Sequence, residues 1–143
     1  MDIEANKALV RRFSEALNSA NWESLDDLLT EDFRRHCQAT PDVTVESLEE
    51  FKALQQSFLE TFPDQRVSLD TLIAEGDKVG FMGTYSGTHL GPMGEVPPTR
   101  KKGQIRMAGF FRIEGGRIAE LTVEWDNLAF LSQLGLYPPP AEQ

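Results

Sequence analysis

Arg117-Ile-Ala-Glu-Leu-Thr-Val-Glu-Trp-Asp126, followed directly by Asn127-Leu-Ala-Phe-Leu-Ser-Gln-Leu-Gly135, reads as a strand that ends in a carboxylate and hands over to a short amphipathic helix. The strand opens after Glu114-Gly-Gly116, where glycine supplies the positive φ of a tight hairpin connection. Successive side chains of a strand alternate faces, so Glu120, Thr122, Glu124 and Asp126 share one face and Ala119, Leu121, Val123 and Trp125 the other. If the apolar face is core, the acidic face is simply solvated. A late strand with another strand before it and a helix after it is instead expected near the sheet centre. A carboxylate at its end, under apolar cover, has its pKa raised and becomes a usable general acid or base. Asp126 is the leading catalytic candidate on that ground, and Thr122 and Glu124 join the candidate substrate contacts.

Working outward, Gln104 to Ile113 is the partner strand across the turn, and Leu90 to Lys102 carries Gly91, Pro92, Gly94, Pro97 and Pro98, which is loop chemistry. Val67 to Ile73 and Val79 to His89 are two further strands about the turn Glu75-Gly-Asp77. Before them the period is helical. Leu48, Phe51, Leu54, Phe58 and Leu59 predict a third helix from Val45 to Thr61, capped by Thr44 and stopped at Phe62-Pro63. Ile3, Val10, Phe13 and Leu17 predict the first helix. Asn21 predicts the cap of a second, with Trp22, Leu25, Leu28 and Leu29 on its inner side. Asp32 to Cys37 is an edge strand or extended loop, and Pro138-Pro-Pro140 an extended tail. Helices first and strands afterwards predict an α+β domain with an antiparallel sheet.

The 143 residues predict one domain over 1–143, and the net charge of −9, with no basic block to offset it, argues against nucleic acid or an anionic membrane as partner. No apolar run reaches signal-peptide or bilayer-spanning character, which predicts a cytoplasmic protein. The single Cys37 cannot pair internally and is expected to be a small buried residue. His36 and His89 lack metal-ligand spacing, so neither metal nor cofactor is expected.

A curved sheet under helices leaves a pocket, and Trp22, Phe58, Phe62, Phe81 and Tyr85, with Met107, Phe110 and Trp125 from the later strands, are candidates to line it. Each is also an ordinary core residue. Together they imply a small hydrophobic ligand. His89, at a strand end beside the loop, is a further candidate contact. Arg106 and Arg112 are expected to pair with Glu120 or Glu124 across the sheet.

Glu120-x-Thr122-x-x-x-Asp126-x-Leu128 with Gln133-Leu-Gly135 resembles the closing motif of the SnoaL-like polyketide cyclases, or ester cyclases, of the nuclear-transport-factor-2-like superfamily. Phe62-Pro-Asp64, Ile73-Ala-Glu-Gly-Asp-Lys-Val79, Ser86-Gly-Thr-His89, Gly94-x-x-Pro-Pro-Thr99 and Phe111-Arg-Ile-Glu-Gly-Gly-Arg-Ile118 match in the same order. The resemblance implies a cone-shaped α+β fold with N-terminal helices on a strongly curved sheet. It also implies cofactor-independent intramolecular aldol chemistry, with the aspartate at Asp126 as acid/base. It places a histidine, here His36, facing the cavity; a surface histidine beside Arg34 and Arg35 is the alternative. Relatives commonly carry tryptophan at Thr122 and a polar run at Arg106-Met-Ala-Gly109, which implies an altered pocket here. Two other functions fit the same residues. One is a non-catalytic carrier of a small hydrophobic molecule, and the other an epoxide hydrolase-like enzyme using Arg106 with Asp126 and Glu120 or Glu124. An apolar outer sheet face, together with the resemblance, predicts a homodimer or homotetramer.

Overall fold

The helical stripe at the N-terminus closes as α1 (Ile3–Asn18), with Asp2 Oδ1 accepting from Ala5 N at its start and Leu9, Val10, Phe13, Ala16 and Leu17 buried. The coordinates are a computed structural model that describes residues 2–138, so the expected proline tail falls outside the described residues beyond Pro138. Asn21 caps a 3-10 turn, Trp22–Ser24, that runs into the four-residue α2 (Leu25–Leu28). Leu29, expected on that helix, instead opens β1 (Leu29–His36). Helix α3 (Leu48–Thr61) begins three residues later than expected: Ser47, not Thr44, is the cap, with its Oγ accepting from Glu50 N at 3.1 Å. Val45 is held away from the helix because its carbonyl accepts from Arg35 N in an antiparallel bridge. The helix stops before Phe62-Pro63, as a proline requires of the residue before it.

Strands β2 (Arg66–Glu75), β3 (Lys78–Thr88), β4 (Lys102–Glu114) and β5 (Arg117–Trp125) form an antiparallel meander, and α4 (Asn127–Gln133) follows. The sheet order is β1-β5-β4-β3-β2, so β5 is interior and β1 is the edge strand that the charged sequence suggested. The sheet is mixed, because β1 runs parallel to β5. Bulges between Leu69 and Thr71 and between Arg112 and Ile113 bend it. At the β4–β5 turn Gly115 and Gly116 both have positive φ, 58° and 77°. Gly109 allows β4 and β5 their close approach, since a Cβ there would strike the carbonyl oxygen of Thr122.

The inner face of the sheet and the stripes of α1 and α3 share one core. Phe33, Phe51, Phe13 and Phe111 meet there, with ring centroids 4.9 Å apart for Phe33–Phe51 and 5.4 Å for Phe13–Phe111. A smaller cluster of Phe62, Ile105, Phe130 and Leu134 docks α4 against β4. The architecture is an α+β cone with an open five-stranded sheet. Among the described residues no helix is long and apolar enough to cross a membrane. None of their His, Cys, Asp and Glu side chains group to hold a metal.

Candidate functional site

Between the helices and the concave face of the sheet lies a cavity of about 130 Å³. Helix α3 contributes Phe51, Gln55 and Phe58, one turn apart; β4 and β5 contribute Met107, Phe111, Val123 and Trp125; Phe62, Phe81 and Tyr85 complete much of the wall. Phe58, Phe62, Phe81, Tyr85, Met107 and Trp125 thus line the cavity together. The volume is close to the ~150 Å³ of an apolar cavity that takes one benzene ring.

Polar groups in this wall are few. Tyr85 donates to Gln65 Oε1 at 2.7 Å, and burial pushes its hydroxyl pKa up, helped by the charge of Asp64. Among the described residues Arg35 is the one cation in the wall, and it is only 6% exposed. Its guanidinium carbon lies 6.0 Å from the Phe58 ring and 5.8 Å from that of Trp125. Its side chain makes a long 3.5 Å contact to Thr40 Oγ1 and a weak hydrogen bond with the Cys37 sulfur. Burial pulls its pKa down, partly offset by Cys37 and Glu124. A guanidinium nevertheless stays charged. Gln55, 8% exposed, makes no side-chain hydrogen bond among the described residues.

His36 is not in this cavity. Alternation along β1 points Phe33 and Arg35 inward and His36 outward, where its Nε2 meets Glu120 Oε2 at 2.6 Å on a half-exposed surface. Glu120 also accepts from Arg112 Nε at 3.1 Å, and these two partners, His36 first, hold its carboxyl pKa down. The acidic face of β5 is therefore the outer one. Thr122 lies on it and does not line the cavity, so the altered pocket expected from this position is not seen. Glu124 is exposed and accepts from the backbone of Gln38 at 2.8 Å and Ala39 at 3.3 Å. Phe110 is 60% exposed on the same side. Arg106 is exposed and has no carboxylate within 4.0 Å among the described residues, so the acid-arginine-acid set of the epoxide hydrolase reading does not assemble. Trp22 packs from outside the cavity and donates to Gln56 Oε1 at 2.8 Å.

Asp126 caps α4. Its Oδ1 accepts from Ala129 N at 3.0 Å, and the residue is exposed, one position beyond the cavity-lining Trp125. The expected apolar cover is absent, because the helix turns there and the carboxylate is used at the turn.

His89 is fully buried beneath the loop that joins β3 to β4, not in the cavity. Its Nδ1 accepts from Thr99 N at 3.2 Å, and Nε2 has no partner among the described residues. Burial lowers its pKa below the ordinary 6.5. Above that value folded and unfolded chains are both neutral there; below it the unfolded chain takes a proton that the folded one refuses, so stability decreases as the pH is lowered. Thermal melts between about pH 7 and about pH 5.5 are expected to show a shallower decline for His89→Asn, which keeps an acceptor for Thr99 N. An unchanged slope places that titration elsewhere.

Sequence reasoning passed over Arg35 and Gln55. The signals were present: Phe33 is the apolar residue of β1 from which period-two counting reaches Arg35, and Phe51, Gln55, Phe58 and Phe62 follow helical spacing.

The description SnoaL-like polyketide cyclase matches residues 7–134. The chain belongs to the SnoaL-like polyketide cyclase family. Among solved structures, the SnoaL-like chain is similar to IdmH, a proposed polyketide cyclase from Streptomyces antibioticus, at 28% identity and TM-score 0.81, covering 92% of this chain and 99% of that one. TsrD from Streptomyces laurentii is similar at 29% identity and TM-score 0.82, over 94% and 98%. A proposed SnoaL-like polyketide cyclase from Jannaschia shares the fold at TM-score 0.84 and 23% identity, over 96% and 97%. No curated protein matches the chain.

Proposed function

We propose that this SnoaL-like chain is a cofactor-independent enzyme of the cyclase or isomerase type, acting on a small hydrophobic compound that carries an enolisable carbonyl. The observation that carries this is the aromatic-lined cavity whose wall includes Trp125, one residue before Asp126. In this reading the ligand's apolar body occupies the cavity. Asp126, exposed and with one oxygen held by Ala129 N, offers the other as acid/base, next in sequence to the cavity-lining Trp125. Family membership and likeness to IdmH support a reaction of this type.

The test is exchange of α-protons for deuterium in single-ring ketones such as phenylacetone, followed by NMR with the wild-type chain and with Asp126→Asn. Catalysed exchange lost in the variant supports the reading, and exchange unaffected by the variant removes Asp126 from it. A second reading, a carrier without turnover, is favoured by one observation: no carboxylate lines the cavity among the described residues. It predicts saturable binding and no exchange with either chain.

Self-association belongs to the same proposal. Ile73, Met82 and Phe110, respectively 70%, 37% and 60% exposed, form an apolar strip on the outer sheet face that a second copy would cover. Sedimentation is expected to give at least twice 16.0 kDa for the wild type and a smaller species for Phe110→Asp. A 16.0 kDa species alone for the wild type refutes it.

A further inference from the structure

Arg35 is a buried cation without an anion. Taking a guanidinium out of water is unfavourable unless a partner charge or a full set of acceptors replaces the water. Here no carboxylate stands within 4.0 Å of it among the described residues. Glu124, the acid whose charge reaches it, is exposed on the outer face and already accepts from the backbone of Gln38 and Ala39. Cys37 lies beside it, but a thiol is a weak hydrogen-bond partner and does not replace a carboxylate. The rings of Phe58 and Trp125 attract the cation, yet a ring face offers no acceptor to N–H groups that lie in the guanidinium plane. Gln55 adds an amide in the same wall, with no side-chain hydrogen bond among the described residues.

We infer that Arg35 and Gln55 form a carboxylate-binding subsite, and that the cavity takes a small single-ring acid whose carboxylate sits on Arg35 and whose ring lies against the aromatic wall. A carboxylate matches the guanidinium fork and supplies the acceptors it lacks. The amide N–H of Gln55 donates to the same group. The remaining wall is apolar, and the cavity's roughly 130 Å³ suits one ring. The chain's charge of −9 repels anions in general, so a bound acid owes its affinity to this local site. The subsite concerns binding and stands whether or not Asp126 turns the ligand over.

Calorimetric titration of the full chain with benzoate and with benzamide, its neutral counterpart, tests this. Benzoate is expected to bind at least about tenfold more tightly, with little dependence on moderate salt because the site is buried. Arg35→Met is expected to erase that preference, and Gln55→Leu to reduce it. Equal binding of the two compounds, binding of neither, or a preference that survives Arg35→Met overturns the inference. If Arg35→Met does not fold, the wild-type preference and the Gln55→Leu series decide it.

Discussion

Asp126→Asn is expected to lower turnover by roughly 10²- to 10⁴-fold, the usual contribution of a positioned general acid or base, while leaving the fold intact. The two halves of that expectation have different origins. Structurally, Asp126 is the cap of α4, its carboxylate accepting from Ala129 N. Asparagine caps a helix as well as aspartate does, so the melting temperature should hardly move. Chemically, an amide neither accepts nor returns a proton near neutral pH, so the proposed acid/base step would lose its agent. Asp126→Ala separates the roles from the other side: it is expected to lose turnover and also about 1 kcal/mol of stability, because the cap goes with the charge. Turnover that persists in Asp126→Asn and fails only in Asp126→Ala would make Asp126 a cap and no more.

Phe51→Ala is expected to cost about 3–5 kcal/mol in urea unfolding, the range for deleting a buried aromatic ring. Phe51 is 1% exposed, stacks on Phe13 with centroids 5.8 Å apart, and meets Phe33 edge-on at 4.9 Å. It joins α3 to both α1 and β1, so its loss loosens three elements together. A domain with a total stability of about 5–15 kcal/mol keeps little margin after such a change. Phe51 also lines the cavity, so the void left behind opens onto it. A folded fraction of the variant is therefore expected to accept ligands larger than one ring. A loss below about 1 kcal/mol would mean that the aromatic cluster collapses to refill the space.

Several positions show how far local pattern reaches. Gly115-Gly116, the period-two run of β5 and the stop at Phe62-Pro63 are set by φ preference, side-chain alternation and the geometry of proline, all of which act within a few residues. They appear where the sequence puts them. Asn21 likewise caps the turn expected of it, although the helix that follows is shorter because Leu29 is drawn into β1. Thr44 and Ser47 both carry a hydroxyl that can cap a helix. The bridge of Val45 to Arg35 chose between them.

By itself the sequence determined the helices-then-strands order, the hairpin of β4 and β5, the acidic face of β5 and the aromatic character of the wall, because each depends on local periodicity and side-chain type. Tertiary structure decided which way those faces look. The β1–β5 pairing joins His36 to Glu120 across 84 residues, a relation that no local pattern encodes. That pairing fixes β1 so that Arg35 enters the cavity and His36 leaves it. It also makes the face of Glu120, Thr122 and Glu124 the outer one, and α4 turns Asp126 out to serve as its cap. A strand's period tells which residues stand together; only the element packed against it tells whether they are buried, and with burial comes the chemistry of the site.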